Sequence, residues 1–121
     1  MMTTEDLINY SRAWNEHDID LIMTYHTVDT VFETGGGLEV RGSRFEGSEA
    51  VRKRFIEVWT ELPDMHFTDG EHFVSGDRGC SEWIFHGTRL DGTKVEVMGC
   101  DLFTFHDDKI YLKNSLLKNR R

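Results

Sequence analysis

Apolar residues change their period near the middle of the chain, recurring every third or fourth position up to Leu62 and every second position from Phe67 onward. Thr3 or Thr4 can cap a first helix, with Glu5 and Asp6 in its opening turn and Leu7, Tyr10, Ser11 and Trp14 on one inward face. Asp18 is placed to cap a second, short helix carrying Ile19, Ile22 and Tyr25. Between Thr30 and Val40, a β-branched run, the Gly35-Gly36-Gly37 turn and Leu38-Glu39-Val40 predict a short hairpin. Ser48 is the expected N-cap of a third helix, whose Val51, Phe55, Val58, Trp59 and Leu62 share a face until Pro63 stops it. Beyond Phe67, strand-period segments are punctuated at Ser75-Gly76-Asp77, Asp91-Gly92 and Asp107-Asp108, which predicts four strands in an antiparallel meander. Helices followed by strands, without βαβ alternation or internal repeats, indicate an α+β fold with the helices gathered on one face of the sheet.

The 121 residues suit one domain spanning 1–121. A formal net charge of -8 argues against nucleic acid and anionic membrane surfaces, because both select clustered cations. The single basic run, Lys118–Arg121, reads as a solvated chain end. No apolar stretch reaches the roughly 18 residues of a membrane span and no leader pattern opens the sequence, so a cytoplasmic location is expected. Cys80 and Cys100 lack CxxC spacing and read as free thiols. The six histidines form no HxxxH or HExxH arrangement, so neither a metal nor a cofactor is expected.

The chemistry of the chain centres on Asp101. It interrupts the apolar segment Val95–Phe105 on the strand face shared by Val95, Val97, Gly99, Phe103 and Phe105, where an unpaired carboxylate would be strongly disfavoured. A two-residue turn at Asp91-Gly92 would set Glu82 opposite Asp101 and Trp83 opposite Cys100. On the following strand, one choice of turn length brings Lys113 to the same face as Asp101. Two readings of Asp101 stay open: a structural carboxylate satisfied by a donor or cation, and a proton-transferring group in a pocket. Trp14, Phe32, Trp59, Trp83 and Phe103 are the expected apolar lining of such a pocket, with the core as the alternative setting for each tryptophan and for Tyr10.

An ordered set of motifs carries a family resemblance across nearly the whole chain. It comprises Trp14-Asn15-Glu16-His17-Asp18-Ile19-Asp20, Asp29-Thr30-Val31-Phe32-Glu33, Gly42 and Gly47, Leu62-Pro63-Asp64, Gly87-Thr88 with Asp91-Gly92, and Asp101-Leu102-Phe103-Thr104-Phe105 leading to Lys109-Ile110. The sequence resembles the nuclear transport factor 2-like superfamily, especially its SnoaL-like and ketosteroid-isomerase-like members. The resemblance implies a cone-shaped, curved, mixed or antiparallel sheet, three N-terminal helices over its concave face, a pocket for a small apolar molecule, and a homodimer formed through the outer sheet face.

In the steroid isomerase a helix-borne tyrosine and a protonated aspartic acid on a late strand hold the developing enolate. Tyr10 and Asp101 stand at the corresponding places, whereas the position of the family's general base holds Thr34. Glu33 beside it should face the other way by strand alternation. The resemblance therefore implies a cofactor-independent isomerase, cyclase or hydratase acting on an apolar small substrate, rather than steroid isomerisation itself. In this reading Asp101 is the acid/base, with Tyr10, Lys113 or Glu82 adjusting its proton affinity. A non-catalytic binding or scaffold domain for an apolar metabolite and a protein-interaction dimer are the alternatives.

Overall fold

A computed structural model describes residues 1–120, so Arg121, the end of the basic run, lies outside the described residues. Thr3 caps α1 (Thr4–Asn15) through a reciprocal pair. Its hydroxyl accepts the Asp6 N–H at 3.1 Å, while the Asp6 carboxylate accepts the Thr3 N–H at 2.9 Å. Asp18 caps α2 (Ile19–Thr24) by accepting the Leu21 N–H. The chain then enters β1 (His26–Glu33), crosses a loop to β2 (Arg44–Glu46), forms α3 (Ser48–Glu61), and finishes as the meander β3 (His66–Ser75), β4 (Arg78–Thr88), β5 (Lys94–His106) and β6 (Lys109–Leu117).

The six strands form one curved sheet in the order β2-β1-β6-β5-β4-β3. β1 joins β6 in parallel and every other pairing is antiparallel, so the sheet is mixed. The three helices cover one face, where Leu7, Ile22, Val51, Phe55, Phe103 and Ile110 are sealed from solvent. Apolar side chains at helical spacing thus meet apolar side chains at alternate strand positions, the arrangement that removes most carbon surface from water.

Three expectations are corrected. The hairpin expected at Thr30–Val40 is instead β1 paired with β2, in the register Val31↔Glu46 to Glu33↔Arg44, and Leu38 and Val40 are fully exposed. In this pairing the buried Glu33 carboxylate accepts from Arg41 and Arg44, and the Thr34 N–H bonds the Ser43 carbonyl at 2.9 Å. Second, the cap of α3 is Gly47 rather than Ser48. The Gly47 N–H bonds the Thr30 carbonyl at 2.8 Å, tying the helix onset to β1 with φ at 91°, a value open to glycine.

Third, five residues, 89–93, connect β4 to β5, closed by Arg89 N–H to Thr93 O at 2.8 Å and Gly92 N–H to Arg89 O at 2.9 Å. Relative to a two-residue turn, the pairing moves by one position. Asp101 faces Ser81, and Glu82 faces Cys100. A one-residue slip sends a side chain to the opposite face, which removes Glu82 from the company of Asp101.

Candidate functional site

Between the helices and the concave face of the sheet lies a cavity of about 630 Å³. Its wall is aromatic, with Trp14 from α1, Phe32 from β1, Phe45 from β2, Phe67 from β3, and Trp83 and Phe85 from β4. Val97 of β5 and Leu117 of β6 extend that wall, and Met65 closes it below α3. Arg54, Glu57, Val58 and Glu61 fall on one stripe of α3 and edge the cavity, with Arg89 coming from the β4–β5 connection. Thr34, Gly35, Gly36 and Ser43 supply the remaining edge from the loop between β1 and β2.

Lys113 is the one cationic side chain that enters the aromatic part of the lining from the sheet. It is 3 % exposed, and its Nζ lies 2.7 Å from Asp101 Oδ1. The rings of Trp14, Phe32 and Phe103 surround the ammonium at 5.3, 5.5 and 6.0 Å, within cation–π range. Asp101 is the only acceptor to which Lys113 Nζ bonds among the described residues, which leaves two of its three N–H groups uncommitted.

Asp101 itself, also 3 % exposed, stands behind the lining. Ser115 Oγ donates to Oδ1 at 2.5 Å and Trp83 Nε1 donates to Oδ2 at 3.1 Å, so three donors share the carboxylate. Sheet register explains the cluster. Ser115 is directly opposite Asp101, and Lys113, opposite Phe103, is the diagonal neighbour on the same face. Gly99 makes room for Trp83, because a Cβ there would lie 2.8 Å from the indole and 2.3 Å from the Leu116 carbonyl.

Tyr10 does not reach the cavity. It lies beneath it, edge-on to Tyr25 and Phe103, and its hydroxyl is 2.8 Å from His26 Nε2. The other imidazole nitrogen, Nδ1, is 2.9 Å from Thr30 Oγ1. Thr30 Oγ1 gives its own proton to the Tyr111 carbonyl at 3.1 Å or that of Ile110 at 3.3 Å, so it accepts from His26. That assigns the proton to Nδ1 and makes Nε2 the acceptor for Tyr10. Burial, aided by the Lys113 charge, pushes His26 down to about 3, and burial holds the Tyr10 phenol well above its ordinary value.

The other sequence expectations divide. Trp14, Phe32 and Trp83 line the cavity as expected. Trp59 does not, because it stacks on His17 at 4.9 Å and packs on the outer side of Trp14. Phe103 is fully buried below Lys113, outside the lining. Glu82 edges a shallow groove on the opposite face of the sheet with Met98, Cys100, Leu116 and Lys118. Glu33 faces away from the cavity, held below the ordinary carboxylate range chiefly by the Arg41 hydrogen bonds, while the Thr34 side chain is engaged with Gly36 and Ser43.

Several contributors escaped the sequence reading, among them Ser115, Phe45, Phe67 and Phe85. Ser115 could have been found from its two-residue spacing to Lys113, whereas Phe45 lay in a segment without a strand signal. Among the described residues, no group of three or more His, Cys, Asp or Glu side chains is placed to hold a metal ion.

No curated protein matches the chain. Among solved structures, a putative polyketide cyclase from Xanthomonas campestris pv. campestris superposes with a TM-score of 0.81 at 17% identity, over 93% of this chain and 87% of that one. The protein TerC, crystallised with polyporic acid, superposes with a TM-score of 0.80 at 20% identity, over 94% and 89% of the two chains. A protein with a ketosteroid isomerase-like fold from Catenulispora acidiphila DSM 44928, in complex with trimethylamine, gives 0.80 at 16% identity, over 94% and 85%. At these identities the likeness establishes the fold. The SnoaL-like domain model matches residues 7–112, nearly the whole helix-and-sheet framework around the cavity, and the chain belongs to the SnoaL-like domain family.

Proposed function

We propose that the protein binds a small, flat, largely apolar molecule in this cavity and fixes its orientation through one acceptor oxygen at Lys113 Nζ. One observation carries this reading: a buried ammonium with two uncommitted N–H groups at the inner end of an aromatic cavity. Buried donors without partners are costly, and an oxygen of the ligand supplies the missing acceptor. Fold neighbours crystallised with polyporic acid and with trimethylamine agree with a small-molecule role for this architecture.

A cofactor-independent reaction of isomerase, cyclase or hydratase type is the second reading, favoured by the same ammonium, which can stabilise a developing enolate oxygen. In that reading Asp101 acts through Lys113 as a positioning residue. Its two oxygens are occupied by Lys113, Ser115 and Trp83, and it lies behind the lining, which argues against direct proton transfer to a ligand.

The test of binding uses an uncharged fluorescent probe such as Nile red with wild type and Val58→Trp, which fills the cavity from the helix side. Saturable binding by wild type and at least about tenfold weaker binding by the variant are expected. Equal binding by both overturns the assignment of the cavity as the site. For turnover, Lys113→Met should abolish any activity found in a panel of enolisable ketones and epoxides. Unchanged turnover eliminates the second reading.

We also propose that two copies associate through the sheet face opposite the helices, which exposes Phe73, Met98 and Leu116. Light scattering after size exclusion should give twice the 14.1 kDa chain mass, and a monomer at all concentrations contradicts this.

A further inference from the structure

We infer that the cavity selects uncharged carbonyl compounds over carboxylates of the same shape, and that Asp101 sets this preference. The inference rests on the proposal that a ligand oxygen meets Lys113. An isolated lysine at the inner end of an apolar cavity would attract anions. Here the charge of Lys113 is already balanced at 2.7 Å by a carboxylate that Ser115 and Trp83 hold in place.

An incoming carboxylate at Lys113 would lie close to Asp101, among aromatic walls that screen two like charges less than bulk water does, and would give up part of its own hydration on arrival. A ketone or aldehyde oxygen needs only one of the free N–H groups and brings no net charge.

The mouth repeats this balance. Arg54 and Arg89 are offset by Glu57 and Glu61, and Arg54 Nη1 is 3.3 Å from Glu61 Oε1. At longer range, the net charge of -8 repels anions. Thus Lys113 remains a directional donor without making the cavity an anion site.

Three ligands of one shape test the inference: 2-acetylnaphthalene, 2-naphthoate and 2-ethylnaphthalene, titrated while the Trp83 and Trp14 indole N–H resonances are followed by NMR. In wild type, the ketone should bind about tenfold more tightly than either of the others. Lys113→Met should reduce the ketone to the level of the ethyl compound. In Asp101→Asn, with the lysine charge unbalanced, naphthoate should gain about tenfold and overtake the ketone.

If 2-naphthoate binds wild type as tightly as the ketone, or Asp101→Asn leaves the order unchanged, the inference is overturned while the cavity assignment stands. Should none of the three shift the indole resonances, the cavity assignment itself fails. Where Asp101→Asn does not fold, Asp101→Ser is titrated in its place, and an order unchanged from wild type again overturns the inference.

Discussion

Replacing Lys113 by methionine removes the ammonium but keeps most of the side-chain volume, so its effect on stability isolates the charge of Asp101. In wild type that carboxylate is 3 % exposed and has three donors. Breaking a buried ion pair by deleting one partner costs about 3–5 kcal/mol. Ser115 and Trp83 remain to hold the carboxylate, which places the expected loss at the lower end, about 3 kcal/mol. For 121 residues at about 2.1 cal/mol/K each, this lowers the Tm by roughly 12 °C.

The double variant Asp101→Asn/Lys113→Met carries neither charge and should lie within about 1.5 kcal/mol of wild type, because removing a whole buried pair is far less damaging than removing half of it. The assay is urea unfolding of wild type, both single variants and the double variant, followed by fluorescence and circular dichroism, with the coupling energy taken from the cycle. A single variant within about 0.5 kcal/mol of wild type, or a double variant whose loss is the sum of the singles, refutes the assignment of a charged pair at this place.

Glu33→Gln should destabilise the chain by about 1–2 kcal/mol at neutral pH, since Arg41 and Arg44 lose a charged acceptor. Because the folded-state value of Glu33 is lowered, its contribution is complete above the ordinary value of 4.5 and fades as pH falls below it, so the variant should converge on wild type in acid. Convergence at high pH instead would contradict this. His26 is buried neutral with a value lowered from 6.5 to about 3, so the unfolded chain binds its proton first and stability falls by about 1.4 kcal/mol per pH unit across that window. Nitrogen-15 NMR should show a single Nδ1–H tautomer unchanged from pH 8 to 5, and a midpoint near 6.5 would disprove the buried network. Gly99→Ala places a Cβ 2.8 Å from the Trp83 indole, so it should shift the Trp83 N–H resonance and weaken probe binding in the cavity. An unchanged spectrum would contradict the close packing of Trp83 on Gly99.

The element order and the anomaly at Asp101 were legible because both depend on local periods: 3.6 in the helices, 2 in the strands, and one carboxylate breaking an apolar run. Lys113 was legible as a candidate for the same reason, through its parity on the next strand. Glu82 was misplaced because pairing across β4 and β5 depends on loop length, and Asp91-Gly92 sits inside a five-residue connection rather than forming a turn alone. Tyr10 was read onto the correct face of α1, yet depth beneath a face is a tertiary quantity, and the phenol stops at His26 under the cavity floor. Phe45 could not be found from pattern, since β2 has only three residues and lies beside the ion pairs of Glu33 with Arg41 and Arg44. β2 is held by its backbone pairing with β1, which local preference does not encode.

That dependence also connects the stability of the cavity floor with its selectivity. A lone aspartate behind an aromatic cavity would hold a buried charge without a partner, and a lone lysine there would recruit anions. Together they form a buried pair at 2.7 Å, and the tryptophan and serine that complete the carboxylate's hydrogen bonds also belong to the cavity wall. Moving the carboxylate therefore moves the surface a ligand touches. Substitutions that change ligand choice at Lys113 must also change stability, whereas substitutions on the stripe of α3 that edges the cavity can alter affinity alone. The Lys113 and Asp101 variants should change both ligand choice and stability and Val58→Trp mainly affinity, which separates the role of the ion pair from simple loss of space in the cavity.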